Sequence, residues 1–224
     1  MIFETRIVQD RRDELVIFFS GWGMDRAATK LIDFGDRDVA QCYDYRELSW
    51  PGDIRSYATR YSKIHLVAWS MGVAFAARMC EELTDLFALK LAAGGSIPGI
   101  DDAYGIQVDA YQATIDGMTE KGRSRFHRRI TEDRQLQATL DDTNGRSLED
   151  VQEELVAIRD HLAAQPQAES FFDVALIGGR DRIFPPENLQ NYWQGRANIH
   201  FADDMPHMPL ASKISIGELI GNYG

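Results

Sequence analysis

Apolar and polar positions along the chain fall into two alternating patterns. Short runs rich in aliphatic and aromatic residues recur at Leu15–Phe19, Val39–Tyr43, Ile64–Trp69, Leu86–Ala93, Phe171–Ile177 and Ala197–Phe201. Near-continuous apolar runs of this length read as strands buried on both faces. Ile2–Val8 alternates instead, as an edge strand does. Helical spacing occupies the intervals Asp25–Phe34, Ile54–Tyr61 and Met71–Glu82, and a helix-like segment follows Pro209. Strands and helices in alternation predict an α/β domain with a mostly parallel sheet and helices on its faces.

Between Ile97 and Ala168 the pattern changes. No strand-like run appears, charge rises, and apolar residues recur at helical intervals: Phe126 with Ile130, then Leu148, Val151, Leu155, Ile158 and Leu162. This predicts an inserted helical cap over residues 97–168, carried by a core of residues 1–96 and 169–224 within one domain. The Gly-Gly-Ser-Ile-Pro-Gly segment at 94–99 is a plausible hinge. Caps of this kind cover an acyl pocket and exclude water during chemistry.

The polar residues at the strand ends carry the chemistry. Ile64–Trp69 stops at Ser70, and a small-residue helical pattern from Gly72 begins at once. A serine caught between strand and helix points to a nucleophile elbow, with Ala68 in the first position of the usual G-x-S-x-G. The plainer alternative is a strand end whose serine caps the next helix. Two later segments favour the elbow. Phe171–Ile177 leads into Gly-Gly-Arg-Asp, ending at Asp181, and Ala197–Phe201 leads into Asp203-Asp204-Met205-Pro206-His207. Nucleophile, acid and histidine in that order, at successive strand ends, match the triad order of alpha/beta-hydrolases.

A serine hydroxyl needs a base during attack. His207 would take that proton and return it to the leaving alcohol, and Asp181 would hold the imidazole tautomer. Asp203 and Asp204 are rivals placed too near His207 in sequence, and Asp173 falls inside the strand pattern. Leu15–Phe19 ends in Ser20-Gly21-Trp22-Gly23, so the N–H groups of Trp22 and Met71 are the candidate oxyanion donors. The indoles of Trp22 and Trp69 are candidate walls of the acyl pocket.

Three segments together resemble one family: Phe18–Asp25, the Ala68–Gly72 elbow, and Gly95–Ile106. They resemble the compact biotin-pathway esterases of the BioG type, over most of the chain from Phe18 to His207 and least between Ile115 and Ser170. The resemblance implies an alpha/beta-hydrolase fold and hydrolysis of the methyl ester of pimeloyl-acyl-carrier protein. That reaction frees the distal carboxylate and ends the disguised elongation phase of biotin synthesis. It carries over Ser70, Asp181 and His207 as triad and Trp22 as oxyanion donor. Many related hydrolases have a histidine before the Gly-Trp pair, whereas this chain has Ser20, which leaves the support of that loop open.

Composition narrows the partners. The net charge of −11 argues against a general nucleic-acid binder. Met1–Leu15 holds charges throughout, with no apolar signal core, and the longest mostly apolar run, Leu66–Ala77, is too short to span a bilayer. Two cysteines, Cys42 and Cys80, lack metal-like spacing and read as reduced thiols of a cytoplasmic protein. The scattered histidines make a metal site unexpected, and no cofactor is implied. Against the acidic balance stands one basic stretch, Lys121, Arg123, Arg125, Arg128 and Arg129, with no acid among its residues. Carrier proteins are strongly acidic, so this stretch is the candidate docking surface for acyl-carrier protein. The alternative is a solvated helix face balanced by Glu120, Glu132 and Asp133. Two other functions remain open at this point. One is a different cytoplasmic serine hydrolase on the same scaffold, a short-chain carboxylesterase or thioesterase. The other is a catalytically silent binding protein, disfavoured by the ordered Ser70, Asp181 and His207.

Overall fold

The computed structural model describes residues 1–6, 13–50, 52–164, 171–209 and 214–224. Its strands are β1 (Ile2–Arg6), β2 (Glu14–Phe19), β3 (Asp38–Tyr43), β4 (Lys63–Trp69), β5 (Leu89–Ala93), β6 (Val174–Gly178) and β7 (Asn198–Ala202). They form one sheet in the order β1-β3-β2-β4-β5-β6-β7. Only β1 runs antiparallel, against β3, and the remaining neighbours are parallel. Side chains of one strand alternate between two cores, as a pleat of period two requires. Leu15, Ile17 and Phe19 enter one core with Leu66 and Ala68, whereas Val16 and Phe18 enter the other with Val67 and Trp69.

The helices differ from the sequence reading where local chemistry breaks a run. The interval expected as a helix from Asp25 to Phe34 holds only α1 (Ala28–Leu31), because Ile32 is already extended and Gly35 takes a positive φ. Ile54–Thr59 is a 3-10 helix. The helix after the serine, α2 (Met71–Met79), ends at Cys80, and a separate 3-10 turn spans Glu81–Leu86. Arg55 contacts that turn at Asp85 and the Glu82 carbonyl, and β5 begins after it at Leu89. Ile7 and Val8, the end of the expected edge strand, lie outside the described residues, as do residues 165–170 at the expected cap boundary.

Among the described residues four helices separate β5 from β6: α3 (Val108–Asp116), α4 (Glu120–Thr131), α5 (Arg134–Thr143) and α6 (Leu148–Ala164). Thr119 caps α4 through the Gly122 N–H, and Asp133 caps α5 through Gln135 and Leu136. Glu132 stands between them in the left-handed region, φ 53°, which turns the chain sharply. After β6 come α7 (Pro186–Trp193), β7 and finally α8 (Ile216–Tyr223). Among the described residues no helix is long and apolar enough to cross a membrane.

Candidate active site

Ser70 sits between β4 and α2 with φ 60° and ψ −130°, a backbone conformation that costs a non-glycine residue about 1–3 kcal/mol. Its surroundings enforce the turn. The Ser70 N–H donates to the Ala93 carbonyl at 2.9 Å. A Cβ on Gly72 would lie 2.4 Å from the Phe19 carbonyl oxygen, and one on Gly95 would lie 2.3 Å from that of Ser70. Glycine is therefore required at both positions, while Ala68 fits fully buried in β4. The Ser70 side chain makes no helix-capping hydrogen bond, so the plainer reading of this serine does not hold.

The Ser70 hydroxyl instead meets His207. Nε2 of His207 lies 2.9 Å from Ser70 Oγ, and Nδ1 lies 2.7 Å from Asp181 Oδ2. An ionised Asp181 only accepts, so Nδ1 carries the ring proton and Nε2 accepts from the hydroxyl. All three residues are buried. Asp181 is itself oriented: its other oxygen accepts the N–H groups of Ile183 and Phe184 at 2.8 and 2.9 Å. Phe184 stacks on the imidazole at 5.9 Å, and the Trp69 indole donates to the His207 carbonyl at 2.9 Å. Asp203 and Asp204 are exposed. Asp173 lies just before β6 rather than inside the strand, where it accepts the Lys90 N–H and pairs with the Lys90 ammonium.

Trp22 and Met71 line the same cavity as Ser70, a space of about 500 Å³ including its open mouth. Among the described residues neither backbone N–H has a hydrogen-bond partner, as donors awaiting an oxyanion require. Ile106, Tyr111, Phe126, Leu155 and Ile183 make the walls largely apolar. The Trp22 indole is one wall, edge-on to Phe126 at 4.8 Å, and it donates to the Val151 carbonyl at 2.8 Å. Trp69 is not a wall. It packs in the opposite core, because the β4 pleat sends its side chain away from the cavity. Where related hydrolases carry histidine, Ser20 is fully buried: its hydroxyl donates to the Cys42 carbonyl, and its own carbonyl accepts from Tyr45 Oη at 2.6 Å.

The basic stretch occupies α4, and its members separate. Lys121, Arg125, Arg128 and Arg129 are exposed. Arg123 turns inward, donating to the Arg146 carbonyl and pairing with Glu120. Glu132 pairs with Arg180 and Arg182 rather than with any cation of α4, and Asp133 is spent on capping α5. The proposed balancing acids therefore leave four cations of α4 without an ion-pair partner among the described residues. Arg129 also lines the cavity mouth and donates to the Arg182 carbonyl.

Among the described residues no group of three or more His, Cys, Asp or Glu side chains could hold a metal ion. Cys42 and Cys80 are free and buried, and burial pushes both thiols up. One residue of the site was not singled out from sequence. Glu154 is fully buried beside the Trp22 loop, and its signal was a carboxylate among the apolar inner-face positions Val151, Leu155 and Ile158.

The chain matches the family Pimeloyl-ACP methyl esterase BioG over residues 3–212. It is 34% identical over 188 residues to a malonyl-[acyl-carrier protein] O-methyltransferase of Bacteroides fragilis, covering 84% of this chain and 38% of that protein. It is 31% identical over 204 residues to an uncharacterized protein of Haemophilus influenzae, covering 88% of this chain and 89% of the relative. The crystal structure of BioG from Haemophilus influenzae superposes with a TM-score of 0.82 at 27% identity, over 94% of this chain and 95% of that one. A hydrolase from Oleispira antarctica shares the fold alone, with a TM-score of 0.66 at 11% identity over 99% and 93% of the chains. With the match running through nearly all of the sequence, the chain belongs to the BioG family of pimeloyl-ACP methyl esterases, carboxylic ester hydrolases of the alpha/beta-hydrolase fold.

Proposed function

We propose that this chain cleaves the methyl ester of pimeloyl-acyl-carrier protein through a Ser70–His207–Asp181 triad and an acyl-enzyme. Ser70 Oγ attacks the ester carbonyl while His207 Nε2 takes its proton. The N–H groups of Trp22 and Met71 hold the oxyanion, and methanol leaves with the proton returned by His207. Water then attacks the acyl-enzyme by the same relay, freeing the distal carboxylate and restoring Ser70. The thioester to the carrier lies at the other end of the acyl chain and stays intact. The observation that carries this reading is the unbroken contact from hydroxyl to imidazole to carboxylate, 2.9 and 2.7 Å, at the wall of an apolar cavity.

Residues 97–168 act as the cap over a core of residues 1–96 and 169–224. The exposed cations Lys121, Arg125, Arg128 and Arg129 steer an acidic acyl-carrier protein to the mouth, with Arg129 placed to meet the phosphate of its prosthetic arm. Arg123, spent internally, is the weakest member of that surface. Two free, buried thiols support a reducing, cytoplasmic setting. The test compares pimeloyl-carrier methyl ester with free methyl pimelate at low and high salt. Faster turnover of the carrier-bound ester, with an advantage that shrinks as salt rises, is expected. Equal rates on both esters at every ionic strength would favour the reading as a general short-chain carboxylesterase. Release of the carrier thioester would favour a thioesterase.

A further inference from the structure

We infer that Glu154 is a positioning residue for the reaction: from α6 its carboxylate holds the loop that presents the Trp22 N–H to the oxyanion. This rests on the catalytic reading above. Oε2 of Glu154 accepts the Gly23 N–H at 3.1 Å, one residue beyond the proposed donor, and Oε1 accepts the Tyr45 N–H at 3.0 Å. Tyr45 in turn donates its hydroxyl to the Ser20 carbonyl at 2.6 Å and stacks on Phe75 at 4.4 Å. One carboxylate thus braces both ends of the 20–23 segment, Gly23 directly and Ser20 through Tyr45. It does so from the same helix that receives the Trp22 indole at the Val151 carbonyl.

Gly23 adopts φ +71°, which glycine reaches without steric cost, so its place is fixed by its hydrogen bonds rather than by its backbone preference. Asn144 adds to them, donating to the Gly23 carbonyl at 2.7 Å, and Arg146 donates to the Met24 carbonyl at 3.3 Å. Arg146 also pairs with Glu154 and with Asp44, both at 3.3 Å. A buried carboxylate is costly where packing alone is needed, and the neighbouring inner-face positions of α6 are apolar. The position therefore answers to the two N–H groups.

Burial pushes the Glu154 carboxyl up to about 7, opposed by Arg146 and by the Tyr45 and Gly23 N–H groups and reinforced by Asp44. The hydroxyls of Tyr45 and Tyr111 and the amino group of Met1 also feel its charge. Only the ionised form accepts on both oxygens, so the brace is complete above that value and loosens below it.

Glu154→Gln tests the inference with a short p-nitrophenyl ester. It preserves shape but turns an amide NH2 toward one of the two N–H groups. The expected result is a kcat lowered roughly 10- to 100-fold with KM within about twofold, since only transition-state binding is lost. A wild-type kcat, or a raised KM with kcat unchanged, overturns it. Should the variant fail to fold, Glu154→Asp decides: it keeps the charge but draws the carboxylate back from the Gly23 and Tyr45 N–H groups, so a kcat lowered roughly 10-fold with KM within about twofold is expected. A wild-type kcat in Glu154→Asp overturns the inference. Ser70→Ala separates the two levels. A dead Ser70→Ala beside a fully active Glu154→Gln removes only the positioning role, whereas an active Ser70→Ala removes the catalytic reading itself.

Discussion

Among the described residues two clusters hold a serine, a histidine and an aspartate, and they differ in order rather than content. Beyond the C-terminal ends of the strands, His207 stands in the middle, with Asp181 at Nδ1 at 2.7 Å and Ser70 at Nε2 at 2.9 Å. Between α4 and α5, Asp141 stands in the middle: one oxygen meets His127 Nδ1 at 2.6 Å, and the other accepts from Ser124 at 2.7 Å. Both imidazoles are buried. In the first cluster a proton can pass from hydroxyl to ring while the carboxylate steadies the charge. In the second, serine and ring each take a different oxygen of the acid and do not meet each other, so no relay exists. Ser124 and His127 share one helix, Asp141 comes from the next, and Gln137 donates to Ser124 Oγ at 3.0 Å. That cluster joins two helices. Composition alone would rank the two alike, and the connectivity separates them.

Substitutions at matching positions should widen the separation. Ser70→Ala is expected to lower kcat by about 10⁴- to 10⁶-fold and to abolish fluorophosphonate labelling. Asp181→Asn should cost about 10⁴-fold through the wrong ring tautomer. The matching Asp141→Asn should leave kcat within about twofold, measured on the same ester. A large loss of turnover in a folded Asp141→Asn protein would abolish the distinction between the two clusters.

The second contrast is between the exposed cations of α4 and its inward-turned Arg123. Reversing Arg125, Arg128 and Arg129 to Glu should lower kcat/KM for the carrier-bound ester about tenfold or more at low salt and spare a free ester. Equal losses on both substrates would mean that α4 itself is damaged. Arg123→Ala should instead act on stability, because its guanidinium serves the Arg146 carbonyl and Glu120.

The smallest effects belong to the pH response of the second cluster. Burial, aided by Arg123, lowers the His127 pKa from its ordinary 6.5, against the raising pull of Asp141. The unfolded chain therefore takes up a proton at a higher pH than the folded one. This part of the stability is complete above about 6.5 and is lost as pH falls toward the folded value. Thermal unfolding between pH 7 and 5 should show that decline, and His127→Gln should flatten it. A decline of equal size in the variant would assign it to other groups.

Much of the architecture was legible because it is written in local periodicity. Apolar runs identified the strands, and Gly94-Gly95 and Gly178-Gly179 marked their ends. Helical spacing at Val151, Leu155 and Ile158 announced α6. The elbow was legible because an apolar run, a serine and a small-residue helical pattern follow one another directly, although the demand for glycine at Gly72 comes from the distant Phe19 carbonyl. Helix limits were less so: Cys80 stops α2 within a run that reads as continuous, since an exposed 3-10 turn and a helix share much of their spacing.

Which polar groups meet was decided by tertiary structure alone. Asp181 rather than Asp203 or Asp204 reaches His207 because the loop after β6 folds back toward the loop after β7. The pleat of β4 takes Trp69 out of the cavity, and Arg123 spends its charge inside. Glu154 reads as a helix-face acid until α6 lies against the loops after β2 and β3. Sequence by itself determined the residue types, the chain order of Ser70, Asp181 and His207, and the alternation that builds a parallel sheet. Contact across 137 positions, from Ser70 to His207, depends on how separate strands dock and what they bury. Those are properties of the assembled core, which the strand-end positions of the three residues indicate without fixing any contact.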